Sequence, residues 1–414
     1  MRTIDCVIIG GGSAGLAAAI HLKELGTHSI LLLEKEAELG GILNQCIHNG
    51  FGLQRFKVEM AGPSYAQMFV SRFIELGIEY RTDACVSQLT ESKLVTYIHP
   101  DEGVVTLQAK TIILAMGARE RTRGNIAIAG DRPVGVWTAG NAQKYLNMEG
   151  YLVGKRIFIL GSGDIGLIMA RRLTLAGAQV IGVAELMPYS NGLNRNIVQC
   201  LHDFNIPLYL STTLVSIHGQ KRVERITLAP VDENLQPILE SVWEIDVDTV
   251  LLSVGLIPDN VLSTQAKIAL HPVTKGPQVT EKYETNVSGI FACGNVLHIH
   301  DVVDYVSEEG EQAALAAHEY LSEEQVDVDS FSIHAGESLA YVLPARGLKS
   351  EHLNLKLRVK KPMNHVKVEF SSQGKVLLAY PKEHLVPAEM EILRLPASIA
   401  AKIEGELTLS VVPQ

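Results

Sequence analysis

The sequence predicts an α/β chain: two three-layer domains, each on a parallel sheet, followed by a small β-rich C-terminal domain. Three observations carry this expectation. Two glycine-rich turns of one design occur far apart, Gly10-Gly11-Gly12-Ser13-Ala14-Gly15 and Gly161-Ser162-Gly163-Asp164-Ile165-Gly166. Each is followed, 24 residues after its first glycine, by an acid, Glu34 and Glu185. The end of the chain alternates apolar and polar residues with period two.

Each element follows from local pattern. Ile4 to Ile9 is a short apolar run that reads as a strand, Ala14 to Leu25 as a helix stopped by Gly26, and Ile30 to Leu33 as a second strand ending at Glu34. The order repeats in Arg156 to Leu160, Ile165 to Leu175 with Gly177, and Val180 to Ala184, ending at Glu185. In such a strand, turn and helix the first glycine permits the tight turn, the second lets backbone approach a pyrophosphate, and the third lets helix pack on strand. The helix N-terminus offers unpaired N–H groups and a positive dipole end to the phosphates, and the acid accepts the ribose hydroxyls. The two units are therefore Rossmann-like dinucleotide-binding domains. Two dinucleotides on one chain point to electron transfer between a held flavin and an exchangeable nicotinamide.

Further along, Thr212 to Ile217 and Arg222 to Leu228 flank His218-Gly219-Gln220, a hairpin signal. Ser307 to Tyr320 reads as a helix with Ala313, Ala314, Ala316 and Ala317 on its close-packing side. Leu353, Leu355, Leu357 and Val359 alternate with polar residues, and Val366, Val368 and Phe370 continue the pattern up to a turn at Ser371-Ser372-Gln373-Gly374, so one face of this domain is buried. Domain crossovers are expected near residues 112 to 120, 280 and 326.

Composition narrows the class. Lys and Arg total 36 against 46 Asp and Glu, a net charge of −10, which disfavours nucleic acid and anionic membrane as partners. No apolar run reaches the roughly 18 residues of a membrane span. With no signal-peptide pattern at its start, the chain is expected in the cytoplasm. Cys6, Cys46, Cys85, Cys200 and Cys293 are isolated, so there is no C-x-x-C, zinc knuckle or iron–sulfur ligand run.

Together the two turns, Thr111-Ile-Ile-Leu-Ala-Met-Gly117-Ala118 and Thr285-Asn-Val-Ser-Gly-Ile-Phe-Ala-Cys-Gly294-Asn295 resemble the FAD-dependent pyridine nucleotide-disulfide oxidoreductase superfamily over roughly residues 1 to 325. The segments Gly40 to Gly52, Gly62 to Tyr65, Arg132 to Gly140 and Gly294 to Asp301 are similar to the branch holding the FAD subunits of opine oxidase, hydrogen cyanide synthase and dye-linked proline dehydrogenase. They are most similar to bacterial NAD/FAD oxidoreductases encoded beside glycerol-3-phosphate dehydrogenase-like flavoproteins. The resemblance implies a discontinuous FAD domain, residues 1–112 and 281–325, an NAD domain over 113–280 and the β-rich domain over 326–414. It places FAD on Gly10, Gly12, Ser13, Ala14, Gly15, Glu34 and Lys35, on Gly41, Ile42 and Asn44, and on Val86, Ala115, Gly117, Gly294 and Asn295. It places NAD on Gly161, Gly163, Asp164, Ile165, Gly166, Glu185 and Gly255. It also implies a partner dehydrogenase subunit, and a small cysteine-bearing electron-transfer protein beside it.

Departures from the superfamily matter as much. The chain lacks the cysteine pair after the double glycine and any C-x-x-C in the inserted domain, so disulfide reduction is not expected. Asn295 stands where many members carry Asp. Cys46 and His48 are the candidate catalytic residues near the flavin, Cys46 as a redox thiol and His48 as a proton relay; the plainer alternatives are a packed thiol and a structural histidine. His298, His300 and Asp301 have a spacing that resembles metal ligands, but no metal is expected, because they directly follow the proposed flavin contact. The helix from Ser307 would point its positive end at the flavin, or be a surface helix whose Glu308 and Glu309 suit its start. Glu185, with Leu186, Met187 and Pro188 after it, favours NAD over NADP, with Arg195 the nearest counterargument. The C-terminal domain either docks a partner or caps the fold. Two other functions stay open: a self-sufficient NADH oxidase or peroxidase using Cys46, and a flavin-bearing scaffold with a structural nucleotide in the second site.

Overall fold

A computed structural model describes residues 1–322, 329–349 and 352–414, so the expected crossover near residue 326 lies outside the described residues. The chain forms two compact units, one of Met1–Asn44, Asn49–Ala118 and Pro258–Gln414, the other of Gln45–His48 and Arg119–Ile257.

In the first unit the strand Thr3–Ile9 lies between Ile30–Leu33 and the long strand Gly103–Leu114, parallel to both. Cys6 faces Ile30 on one side and Thr111 on the other. Its Val7, Ile8 and Ile9 are buried, as are Leu31, Leu32 and Leu33 of the neighbouring strand, which is why these strands are continuously apolar: a parallel sheet is covered on both faces. Ile290–Ala292 adds to the far side of Gly103–Leu114 at Ile112 to Leu114. The same long strand begins as the last arm of an antiparallel meander with Cys85–Leu89 and Leu94–His99.

One face of this sheet is covered by the helices Ser13–Glu24 and Val303–Ser322, whose contact is lined by Ala17, Ala18, Ala313, Ala314 and Ala317. A methyl on Gly310 would stand 2.2 Å from the Ala14 carbonyl oxygen, so only glycine allows this approach. The second of these helices starts at Val303, four residues before the expected Ser307, because Asp304 in its first turn gives the dipole an acidic start.

The second unit carries a five-stranded parallel sheet in the order Val136–Thr138, Thr249–Leu252, Arg156–Leu160, Gln179–Ala184 and Leu208–Tyr209. The expected hairpin is present as Thr212–His218 paired antiparallel with Arg225–Pro230, extended by Trp243–Asp246. Its second arm begins three residues late. Arg222 is held elsewhere, its guanidinium donating to the Asp248 carbonyl at 2.9 Å and to Thr249 Oγ1 at 2.8 Å.

The C-terminal strands belong to the first unit and form a five-stranded and a three-stranded sheet around Phe331, Leu355, Leu357, Phe370 and Leu409. The alternation in Leu353–Val359 buries the expected leucines, and Met363–Ser372 pairs with Lys375–Leu385 across a turn in which Gln373 and Gly374 take positive φ. Lys356 departs from the pattern. Predicted on the polar face, it is 9% exposed and turned into the protein. Among the described residues no helix is long and apolar enough to cross a membrane.

Candidate dinucleotide-binding sites

The first turn is packed from every side but one. Gly10 has φ +109°, and a methyl there would stand 2.3 Å from the Ala115 carbonyl oxygen; at Gly15 it would stand 1.8 Å from the Gly10 oxygen. Gly41 closes on Gly12 Cα at 3.0 Å and Gly294 on Ala14 Cβ at 2.9 Å by the same measure. The structure thus brings together residues from positions 10–15, 34, 41, 115 and 294. Gly12 is the exception, with nothing within 4 Å of where its Cβ would lie. Gly12 also caps the helix that begins at Ser13 without a side-chain hydrogen bond, and no acid lies in the first turn, so the helix-end N–H groups remain for an anion.

Glu34 lies at the edge of this cradle and is 5% exposed. Its Oε2 accepts the Gly11 N–H at 2.6 Å and its Oε1 the Glu36 N–H at 2.8 Å. A carboxylate has about four acceptor positions, so about two remain for ribose hydroxyls. These features fit a bound FAD. Of the other expected contacts, Lys35 is exposed beside Glu34, and Ile42 projects into solvent from the short 3-10 turn Gly41–Gln45. Asn44 donates to the Leu39 carbonyl at 3.0 Å. Val86 is half-buried on Cys85–Leu89, two residues past Ala84, whose N–H donates to the Glu34 carbonyl. Gly117 takes φ +73°. Asn295 sits in the 3-10 turn Gly294–Val296, where its Oδ1 accepts the His300 N–H at 3.1 Å.

The second turn repeats the steric logic. At Gly161, φ +97°, a methyl would meet the Ser253 carbonyl oxygen at 2.1 Å; at Gly166 it would meet the Gly161 oxygen at 2.7 Å. Gly163, the cap of Asp164–Leu175, faces open space apart from Ser253 Oγ at 3.8 Å. Ile165, half-buried, packs against the core of this unit. Gly255 takes φ +99°, and its carbonyl accepts the Arg121 N–H at 3.0 Å.

Electrostatically the two cradles differ. Glu185 Oε2 accepts both Ser162 N–H at 3.0 Å and Ser162 Oγ–H at 2.6 Å, while its Oε1 accepts Met187 N–H at 3.0 Å and Asn191 Nδ2 at 3.2 Å. All four acceptor positions are filled. Asp164 Oδ1 in turn accepts Leu193 N–H at 2.9 Å and Asn196 Nδ2 at 2.7 Å, so the segment from Ser190 to Asn196 is tied down beside the turn. Ser162 and Asn191 have no recognisable signature in the sequence. Arg195 is exposed.

Cys46 and His48 fall in the second unit. Cys46 Sγ stands 3.7 Å from Gln143 Oε1, and burial pushes its thiol up to about 12, away from the thiolate that a nucleophile needs. Burial and then Arg195 lower His48, against an opposing pull from Asp164. Gln45, which the sequence did not single out, anchors this segment to the helix Ala139–Asn147: its amide donates to the Gly140 carbonyl at 2.8 Å and to Gln143 Oε1 at 3.0 Å.

The histidine pair has a different acid from the one expected. Asp301 turns away to Arg358 and the Met390 N–H, whereas Glu309, which a surface helix would have left in solvent, is 1% exposed and lies 2.9 Å from His298 Nε2 and 3.1 Å from His300 Nε2. The three ligand atoms lie within 4.8 Å of one another, as metal ligands would. Lys356 Nζ, however, is hydrogen-bonded to the same Glu309 oxygen and already supplies the positive charge there. Burial opposes ionisation of Glu309, but the charges of His300 and Lys356 outweigh it and hold the carboxyl well below its usual range. Burial, reinforced by His300, lowers His298 to about 3.

The family model of the pyridine nucleotide-disulphide oxidoreductases matches residues 4–319. Hydrogen cyanide synthase subunit HcnB of Pseudomonas protegens is 26% identical over 64% of this chain and 59% of its own length, and mitochondrial dihydrolipoyl dehydrogenase 1 of Arabidopsis thaliana is 26% identical over 71% and 62%. The chain thus spans about three-fifths of the length of these relatives. Among solved structures, T. acidophilum thioredoxin reductase superposes with a TM-score of 0.63 at 23% identity, over 77% of this chain and 98% of that one. L-proline dehydrogenase from P. horikoshii superposes at 0.52 with 20% identity, over 75% and 54%. Those likenesses carry the fold, while the family match covers most of the sequence. The chain belongs to the pyridine nucleotide-disulphide oxidoreductase family.

Proposed function

We propose that FAD is held in the first cradle and NAD(H) in the second, and that the chain passes electron pairs between them as one subunit of a heteromeric dehydrogenase. The carrying observation is the pair of open glycines, Gly12 and Gly163, each in a turn whose first and last glycines are too closely packed to take a methyl. When bound, the cofactors supply the chemistry, a hydride moving between nicotinamide C4 and flavin N5. The chain supplies position. Helix-end N–H groups at Ser13 to Gly15 and Asp164 to Gly166 would meet pyrophosphate charge; Glu34 would take ribose hydroxyls at its open acceptor positions, and Glu185 would take one only in exchange for a donor it now holds, such as the Asn191 amide. Glu185 repels a 2′-phosphate, which supports NAD over NADP.

The absence of a C-x-x-C leaves the flavin's second exchange to something outside the chain. A partner subunit oxidising glycerol-3-phosphate or a similar small hydroxy acid or amine suits this, and a relative carries the word subunit in its name. Anaerobic titration tests the redox reading: NADH should bleach the visible flavin band at stoichiometric amounts, and NADPH should need a much higher concentration. No bleaching with either would refute it. Purification of the native assembly tests the partner, since elution at the mass of this chain alone would refute the heteromer.

A further inference from the structure

Beneath Gly294 lies a buried charged cluster that neither cradle uses directly. Glu309 Oε2 accepts the Gly294 N–H at 2.8 Å. Its Oε1 receives Lys356 Nζ, which arrives from the C-terminal strand Leu353–Val359 and also reaches Tyr283 Oη at 3.2 Å. His298 Nε2 meets the same oxygen at 2.9 Å, and the His298 and His300 rings lie against each other with centroids 4.0 Å apart. On the far side the His300 N–H reaches an oxygen of the Asn295 amide at 3.1 Å. A backbone N–H can only donate, which fixes that atom as Oδ1 and leaves Asn295 Nδ2 as the amide's remaining donor. His300 Nδ1 lies 3.0 Å from the His298 carbonyl, an obligate acceptor, so it too carries a hydrogen.

We propose that Lys356 is a positioning residue for the flavin: through Glu309 it fixes the Gly294 N–H, and through the histidine pair it fixes the donor end of Asn295. This rests on the reading that FAD occupies the first cradle. The physical reason is charge balance. Without the ammonium, the buried carboxylate loses one of the groups that compensate it and must take a proton or draw the imidazoles toward itself. Either response moves Gly294 or Asn295. The C-terminal domain thereby does more than cover the fold, because one of its lysines sets how the cofactor is held.

The test compares Lys356→Met, Lys356→Arg and His300→Ala in the full chain, reading the FAD dissociation constant, the two-electron midpoint potential and the melting temperature of the apoprotein. Lys356→Met is expected to weaken FAD binding roughly tenfold or more. It should also lower the potential by about 30 mV, the equivalent of a tenfold bias against reduced flavin. Lys356→Arg should recover most of both. His300→Ala leaves the Lys356–Glu309 pair intact and should weaken FAD about threefold with the apoprotein melting unchanged. Native affinity and potential in Lys356→Met, whatever its melting temperature, would overturn the proposal. If that variant does not fold, native affinity in His300→Ala does the same. A wild-type protein that binds no FAD sinks the underlying reading instead, and is seen before any substitution is made.

Discussion

Replacing Gly12 or Gly163 by alanine separates the ligand's needs from the protein's. Both have extended backbone, φ −80° with ψ −168° and φ −66° with ψ 162°, which any residue adopts. A methyl at Gly12 meets no atom within 4 Å, and one at Gly163 meets only Ser253 Oγ at 3.8 Å. The apoprotein should therefore melt no lower than the native one, and alanine can add about 0.4–1 kcal/mol by restricting the unfolded chain. The methyl instead occupies the cradle. An added methyl in a filled space costs about 1–3 kcal/mol, or roughly 5- to 150-fold in dissociation constant. Gly12→Ala should lose FAD, measured as flavin per chain and by titration of the apoprotein, while binding NADH normally. Gly163→Ala should stay yellow, with its flavin reduced only at raised NADH concentration. Native flavin affinity in Gly12→Ala would show that FAD does not lie against this turn.

The remaining expectations follow from single groups. Asn191→Ala frees one acceptor position on Glu185 and should tighten NADH about 2- to 10-fold, the worth of one hydrogen bond of about 0.5–1.5 kcal/mol; weaker binding in calorimetry would mean that Asn191 itself holds the nucleotide. His298, at about 3 when folded against 6.5 in a free chain, stays neutral while the unfolded chain takes up its proton, so stability should fall as pH drops from about 6.5 toward 3. The loss is about 1.4 kcal/mol per pH unit, with Glu309 adding to it below its ordinary 4.5. His298→Gln should flatten the slope of denaturant midpoints between pH 6.5 and 4.5, and an unchanged slope would contradict the burial argument. Cys46 should react with iodoacetamide at pH 8 roughly tenfold or more slowly than exposed Cys85, followed by mass spectrometry of the alkylated peptides. Equal rates would restore it as a redox thiol.

Local pattern carried much of the architecture. Ile30–Leu33, Arg156–Leu160 and Leu353–Val359 lie where the apolar runs end, because strands buried on one or both faces leave an unbroken or alternating signature. Gly10, Gly15, Gly161 and Gly166 were legible for a related reason: a backbone that passes within about 2 to 3 Å of where a methyl would lie leaves only one residue type possible. What escaped was long-range. Lys356 obeys the strand's alternation as a polar residue, and Glu309 and Tyr283, 47 and 73 positions away in the sequence, hold it inward. Asp301 stood beside the histidines in sequence but belongs to Arg358, and Glu309 took its place from two turns along the helix. The filling of Glu185 by Ser162 and Asn191 depends on how a loop folds back, which spacing does not encode.

The strand Gly103–Leu114 has a consequence for how the first unit comes apart and comes together. Its last three residues are bonded on one side to Thr3–Ile9 and on the other to Ile290–Ala292. Amides at Ile112 to Leu114 should therefore resist hydrogen exchange until the whole unit opens, with no local fraying to release them. During synthesis the neighbour on that second side does not exist until the ribosome has passed residue 292, so an N-terminal fragment ending earlier carries an unsheltered sheet edge that invites association with other chains.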